Sequence, residues 1–281
     1  MRAGRRRPGL GGLVAVHVHF HDPYQPLESP VHRRDPRVKL ALTLAFIVTA
    51  TALPGGAWSA YGLLVLAVLG AALLSGLGVR RVWRRSALAL PFVLAALPVV
   101  FTAPGPSAFQ WQMGPWTLSV RAEGVVRFLS VLIKAWLSAQ AAVVLVGTTS
   151  FPDLLAAMRG LGMPRILVQT VGLMWRYLFL LADEAVRMLR AREARSLDPG
   201  IPGRRVGGTL GWRARVTGQM AGMVFLRALE RGERIYLAMV ARGYDGEIRA
   251  LPAPPLSAVD RGLLLGGLAF LGLVLLVGLF V

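Results

Sequence analysis

Two groups of residues have types and spacing suited to chemistry or recognition. The first is His17-Val18-His19-Phe20-His21. Alternation on an extended strand would put the imidazoles of His17, His19 and His21 on one side. Three imidazoles can hold Co²⁺, Ni²⁺ or Zn²⁺. The other reading is a surface tail with incidental histidines, and His32 lies in the same tail. The second group is a pair of six-residue runs, Ala194-Arg195-Ser196-Leu197-Asp198-Pro199 and Ala241-Arg242-Gly243-Tyr244-Asp245-Gly246. Both read Ala-Arg-small-x-Asp-turn former, and Arg187 and Arg234 stand in the same register. A small residue beside an Arg lets another backbone come close, and the Arg then reaches a carboxylate or a helix C-terminus across the contact. Asp198 and Asp245 can turn or cap the chain locally. Two similar tips suit a partner that presents one site twice, a twofold dimer. Ala-Arg also occurs at Ala191-Arg192 and Ala214-Arg215, so only the longer match carries weight.

Other chemistries are poorly served. With no Cys, disulfides, thiol catalysis and thiolate metal sites are excluded. Gly207-Gly208-Thr209 lacks the Lys of a nucleotide-binding loop, so any ATP hydrolysis falls to a partner. Asp183 and Glu184 are adjacent but no His accompanies them, and no nucleophile–base–acid set appears. A non-enzymatic chain without a cofactor is expected. No Asp or Glu occurs between Pro36 and Ala122, so the groups a stand-alone transporter would bury in its spans are missing there. Lys134 is the one charge well inside an apolar stretch. It either meets a carbonyl or partner group, or snorkels from a helix end.

The elements that would position these residues follow from composition and periodicity. Of 281 residues 55% are hydrophobic and only 16% charged, against about 25% charged in a typical soluble domain. The mean hydropathy is +0.56. Lys and Arg number 32 against 14 Asp and Glu, for a net charge of +18. The basic residues flank apolar runs, so the implied partner is a lipid bilayer with an anionic surface and not nucleic acid. The first 37 residues are polar, basic and Pro-rich, without the apolar core of a cleavable signal.

Five stretches have roughly the 20 apolar residues that span a bilayer: Val38–Leu53, Ala57–Leu77, Ser86–Ala103, Phe128–Gly147 and Gly262–Val281. Arginines crowd the N-terminal tail and the loop Arg80–Arg85, while Pro54–Gly56 carries no charge; the N-terminus is therefore placed in the cytoplasm. The loop with Trp111 and Trp116 then lies outside. Ile166–Ala182 is ambiguous. Were it a sixth span, residues 187–249 with their 13 Arg would lie outside, against the trend elsewhere. It is read instead as part of one long helix over 166–196 at the cytoplasmic face, with a sixth span as the alternative. A short helix, Phe151–Leu161, is expected after Ser150 as N-cap with Pro152 in the first turn. A Gly-rich linker over 199–211 and a second long helix over Ala214–Arg242 follow, with Glu230 and Arg234 in the favourable i,i+4 order. The expected fold is an all-α membrane protein of about five transmembrane helices plus three cytoplasmic helices. Its parts are a basic tail (1–37), a four-helix membrane region (38–147), a cytoplasmic region (148–260) and a last transmembrane helix (261–281).

On particular residues the chain resembles a known family, the T component of energy-coupling factor (ECF) transporters, and within it the CbiQ-type cobalt permeases. The resemblance runs through Asp35-Pro36-Arg37-Val38-Lys39-Leu40, Gly162-Met163-Pro164-Arg165 and Tyr177-Leu178-Phe179. It is strongest in Glu230-Arg231-Gly232-Glu233-Arg234-Ile235-Tyr236-Leu237-Ala238-Met239 and the run from Ala241 to Gly246. It implies an L-shaped architecture with three coupling helices, in a multi-pass protein of the bacterial inner membrane. It further implies that Ala194, Arg195 and Ser196, and Ala241, Arg242 and Gly243, dock two ABC-type ATPase subunits, with Asp198, Asp245, Arg187 and Arg234 in support. Ser196 stands where the signature has Gly and keeps the residue small. A separate membrane subunit would bind cobalt or nickel. A vitamin-type importer is the alternative cargo, and a stand-alone secondary transporter the alternative class.

Overall fold

The computed structural model describes residues 24–102, 107–113, 116–195, 209–246 and 254–280. The chain divides into two compact units. Among the described residues, one unit runs over 24–168 and 254–280 and the other over 169–246. Its architecture is that of an all-α membrane protein.

In the first unit, α1 (Pro36–Ala52) starts where Asp35 accepts a hydrogen bond from the Arg37 backbone N–H at 2.8 Å and Pro36 supplies a pre-set first-turn φ. Helix α2 (Trp58–Leu74) follows after a tight loop in which Gly56 has φ +91°. At about 1.5 Å per residue, these 17-residue helices are each roughly 26 Å long, slightly under the hydrocarbon thickness. The third apolar stretch is broken. It forms α3 (Val79–Ser86), α4 (Leu90–Val93), α5 (Val99–Thr102) and two 3₁₀ turns, with a bend of 47° between Val79–Ala89 and Leu94–Phe101. Pro91 and Pro98 remove backbone donors along this run, so it cannot continue as one regular helix.

The loop expected outside the membrane forms an antiparallel hairpin, β1 (Ser107–Met113) with β2 (Trp116–Arg121), in register Met113–Trp116 and Trp111–Leu118. Helix α6 (Ala122–Thr148) is the longest of this unit. It is followed by α7 (Phe151–Gly160), whose N-cap is Ser150, accepting from the Asp153 backbone N–H at 3.3 Å. Gly162, at φ +95°, ends α7 with bonds from Gly162 N to Arg159 O and from Met163 N to Met158 O. Helix α10 (Ala258–Phe280) closes the unit.

The core lies among α1, α2, α6 and α10, with Leu53, Leu64, Leu137 and Val274 almost wholly buried. Small residues bring these helices close. A Cβ on Gly278 would sit 2.2 Å from Leu53 Cδ2, and one on Gly267 would sit 2.5 Å from Leu42 Cδ2. In lipid, such contacts do the work that water exclusion does elsewhere.

In the second unit, α8 (Arg165–Arg195, which begins in the first) and α9 (Leu210–Ala241) are the two long helices expected. Thr209 caps α9, accepting from the Trp212 backbone N–H at 3.3 Å, so this helix starts four residues before the sequence reading placed it. The linker residues 199–208 lie outside the described residues. Among the described residues, helices α6, α8 and α10 are long and apolar enough to cross a membrane, and the bent run over α3 to α5 makes up to four. Helix α8 as a whole thus has the length and composition that a sixth span would need.

Candidate functional site

The two expected tips fall at helix ends. Ala194 and Arg195 are the last residues of α8 and both are exposed; Ser196 and Asp198 lie outside the described residues. The second tip is described in full. Ala241 ends α9, Arg242 is its C-cap, and Gly243 has φ +80°. Gly243 N donates to Val240 O at 2.9 Å and Tyr244 N to Met239 O at 3.0 Å. This is a Schellman cap, which needs a left-handed residue just past the C-cap and satisfies two carbonyls the helix leaves open. The glycine of the Ala-Arg-Gly run therefore has a backbone reason of its own. Arg242 and Arg195 stand at the negative ends of their helix dipoles, which favours a cation there.

How the tips relate is settled by the packing of α8 on α9. Arg192 donates to Thr217 Oγ1 at 3.2 Å and lies 5.9 Å from the Trp212 ring centre. Glu184 bonds Arg227. Leu173, Tyr177 and Leu181 share a cavity of about 360 Å³ with Ala228, Ile235, Met239 and Tyr244. Residue numbers fall on α9 as they rise on α8, so the helices are antiparallel and the tips lie at opposite ends. Arg195 is eleven residues beyond Glu184 and Arg242 fifteen beyond Arg227 in the other direction. At 1.5 Å per residue the tips are roughly 40 Å apart along the pair.

A second cavity, of about 290 Å³, sits near the middle. Leu180, Glu184 and Arg187 of α8 line it with Arg227, Arg231 and Arg234 of α9. These positions pair at the same chain offset as Arg195 and Arg242. A positional twofold relating the tips therefore passes through this cavity. The two supporting arginines, Arg187 and Arg234, are both here. Arg187 Nη2 donates to Glu184 Oε2 at 2.6 Å. Arg234 lines the cavity beside Glu230 without an ion pair between them among the described residues; the acid that binds arginines here is Glu184. The hydrogen-bonded Arg227 guanidinium, helped by Arg187, holds the Glu184 carboxyl below its ordinary range against a smaller effect of burial.

Neither α8 nor α9 has a fully buried residue. A Cβ at Gly218, Gly222 or Gly232 would meet nothing within 4 Å. Long polar side chains at a few points join the pair, and Phe225, Leu226, Leu229, Tyr236 and Leu237 stay exposed on α9.

Lys134 meets carbonyls. Its Nζ donates to Thr51 O at 3.1 Å and to Leu53 O, closing the C-terminal end of α1. Lys39, which the sequence reading passed over, does the same for α6 by donating to Thr148 O at 2.9 Å. Asp245 of the second tip is exposed. His17, His19 and His21 lie outside the described residues, and among the described residues no three His, Asp or Glu side chains converge as metal ligands. His32 serves the chain itself: its Nδ1 lies 2.6 Å from Ser29 Oγ and its Nε2 lies 3.0 Å from Gln25 O.

The profile of the cobalt transport protein family CbiQ matches residues 28–252. An uncharacterized protein of Methanocaldococcus jannaschii is 26% identical over 185 residues, 65% of this chain and 60% of that protein. The cobalt transport protein CbiQ of Rhodobacter capsulatus is 29% identical over 223 residues, 79% of this chain and 82% of its own. The energy-coupling factor transporter transmembrane protein EcfT of Limosilactobacillus fermentum is 27% identical over 233 residues, with the same coverage of both chains. The chain thus spans less than two thirds of the first of these relatives and about four fifths of the other two. The match runs over parts of both units and includes Arg195 and Arg242: the chain belongs to the CbiQ family of cobalt transport proteins and is a T component of the ECF type.

Proposed function

We propose that this chain is the transmembrane coupling subunit of an ATP-driven importer of cobalt or nickel. It hydrolyses no ATP and holds no substrate itself. Two ABC-type ATPase subunits grip it, one at Ala194-Arg195-Ser196 and one at Ala241-Arg242-Gly243, with Asp198 and Asp245 turning the chain behind each Arg. A separate membrane subunit carries the ion. The observation that supports this best is the placement of two like tips at opposite ends of an antiparallel pair, about a positional twofold. A twofold ATPase dimer presents two equal sites some distance apart, and a single chain can fill both only with a pair of this kind.

The coupling is mechanical. When ATP closes the dimer, its two sites shift, and the tips shift with them. The Glu184–Arg187–Arg227 cluster lies where the arms meet, so motion at both tips is felt there as a change in the angle between α8 and α9. Helices joined at few points can change angle without dismantling a core, which suits an element with two arrangements biased by nucleotide. The name of the EcfT relative prints no cargo, and a vitamin-type importer is the second reading. The N-terminus is placed in the cytoplasm by its arginines.

The test is Arg195→Glu with Arg242→Glu in the complete transporter. Loss of ATPase co-purification and of ion uptake is expected, with each single variant intermediate. Full ATPase retention with intact uptake would end the docking assignment. Uptake measured with cobalt, nickel and a vitamin panel decides the cargo.

A further inference from the structure

One charged surface is not absorbed by coupling. Helix α3 reads Val-Arg-Arg-Val-Trp-Arg-Arg-Ser over Val79–Ser86. Val82 and Ser86 are 1% exposed, and Val82 packs in a cluster with Ala72, Leu77 and Val144. At 100° per residue, Arg80, Arg81, Arg84 and Arg85 fill the arc opposite that buried edge, and all four are exposed. Like charges at i,i+4 oppose helix formation. Here two such pairs, Arg80 with Arg84 and Arg81 with Arg85, sit in an eight-residue helix. No Asp or Glu occurs from Arg37 to Arg121 to offset them. Arg81 is engaged by Gln25 Oε1 at 2.5 Å and Leu77 O at 3.2 Å, both neutral acceptors. Arg80 and Arg84 have no hydrogen-bond or ion-pair partner among the described residues. Beside them, Trp83 is half exposed and stands edge-on to Trp136 of α6, with ring centres 5.0 Å apart. An exposed indole at the end of an apolar helix marks the boundary between lipid and water.

We propose that α3 is a binding site for anionic phospholipid headgroups of the leaflet it borders. Arg80 and Arg84 take the lipid phosphate as paired guanidinium donors. Trp83 rests at the glycerol level, where an amphipathic ring is favoured. The anion is the compensating charge that the described residues do not provide to Arg80 and Arg84, and α3 is positioned for it by burial of Val82 and Ser86.

The experiment uses the full chain in nanodiscs of equal phosphatidylglycerol and phosphatidylcholine, with retained lipid counted by native mass spectrometry. The wild-type chain should retain phosphatidylglycerol in clear excess. Replacing both residues (Arg80→Gln with Arg84→Gln) should lower that selectivity about 30-fold, the effect of two surface cations on anionic lipid. Arg80→Lys with Arg84→Lys should keep more of it than the two Gln replacements. Arg213→Gln with Arg215→Gln, an equal charge loss on α9, should leave it unchanged. Equal retention of the two lipids by the wild-type chain overturns the proposal, whether or not the variants fold. So does an unchanged ratio in the Arg80/Arg84 Gln pair, or an equal fall in the α9 control.

Discussion

Gly243 offers a test that separates two reasons for a small residue at the second tip. Its φ of +80° places it in the left-handed region, and the Schellman bonds from Gly243 and Tyr244 depend on that geometry. A Cβ added there would meet nothing within 4 Å, so within the chain the cost of Ala is conformational alone. An L-residue in this region costs about 1–2 kcal/mol, and Asn costs less because it visits the region more readily. If docking requires the cap, that energy appears as lost affinity, roughly 5- to 30-fold for Ala. The expected order of ATPase affinity is Gly, then Asn, then Ala, then Val. Dissociation constants for the purified complex in detergent would establish it. If the glycine instead serves close approach of the ATPase, size decides and Ala binds better than Asn. That inversion, or an Ala variant equal to wild type, would refute the conformational argument.

Two further predictions test other links. Lys134→Met removes the charged donor from Thr51 O and Leu53 O and should cost about 1–3 kcal/mol, seen as a lower melting temperature that Lys134→Arg partly restores; an unchanged melt would mean that water or lipid satisfies the end of α1. The lowered pKa of Glu184 makes the α8–α9 link pH-dependent. A carboxyl with a depressed folded pKa contributes fully above its unfolded value and loses that contribution as pH falls through the lowered one. Spin labels on α8 and α9 should therefore report a constant separation from neutral pH down to the ordinary carboxylate value of 4.5 and a wider one below it, with the acid transition absent in Glu184→Gln. A separation that already changes near neutral pH would point to some other group.

Much of the fold is local and was open to reading. Apolar length marked α1, α2, α6 and α10; Ser150 with Pro152, and Gly162 with Pro164, bounded α7; Gly243 ended α9. The hairpin is also legible. Phe109, Trp111 and Met113 alternate with Gln110 and Gln112, Trp116, Leu118 and Val120 alternate with Thr117 and Ser119, and Gly114-Pro115 is a turn signal between them. The break in the third apolar stretch carried its own sign in Pro91 and Pro98, which a hydropathy count does not weigh.

The candidate site divides in the same way. Composition, arginine spacing and the repeated Ala-Arg-small run identify Arg195 and Arg242 as a matched pair, because residue type and periodicity are properties of a single helix. They say nothing about direction. Whether two helices run parallel or antiparallel depends on contacts between residues far apart in the chain, such as Glu184 with Arg227 and Arg192 with Thr217. The same holds for Lys134, whose acceptors lie on another helix 81 and 83 residues away. Two like tips on two long helices of a membrane protein can be read from residue types and periodicity alone. The tertiary structure alone decided that they point to opposite ends of one antiparallel pair, because that requires the long-range ion pair that local pattern cannot encode.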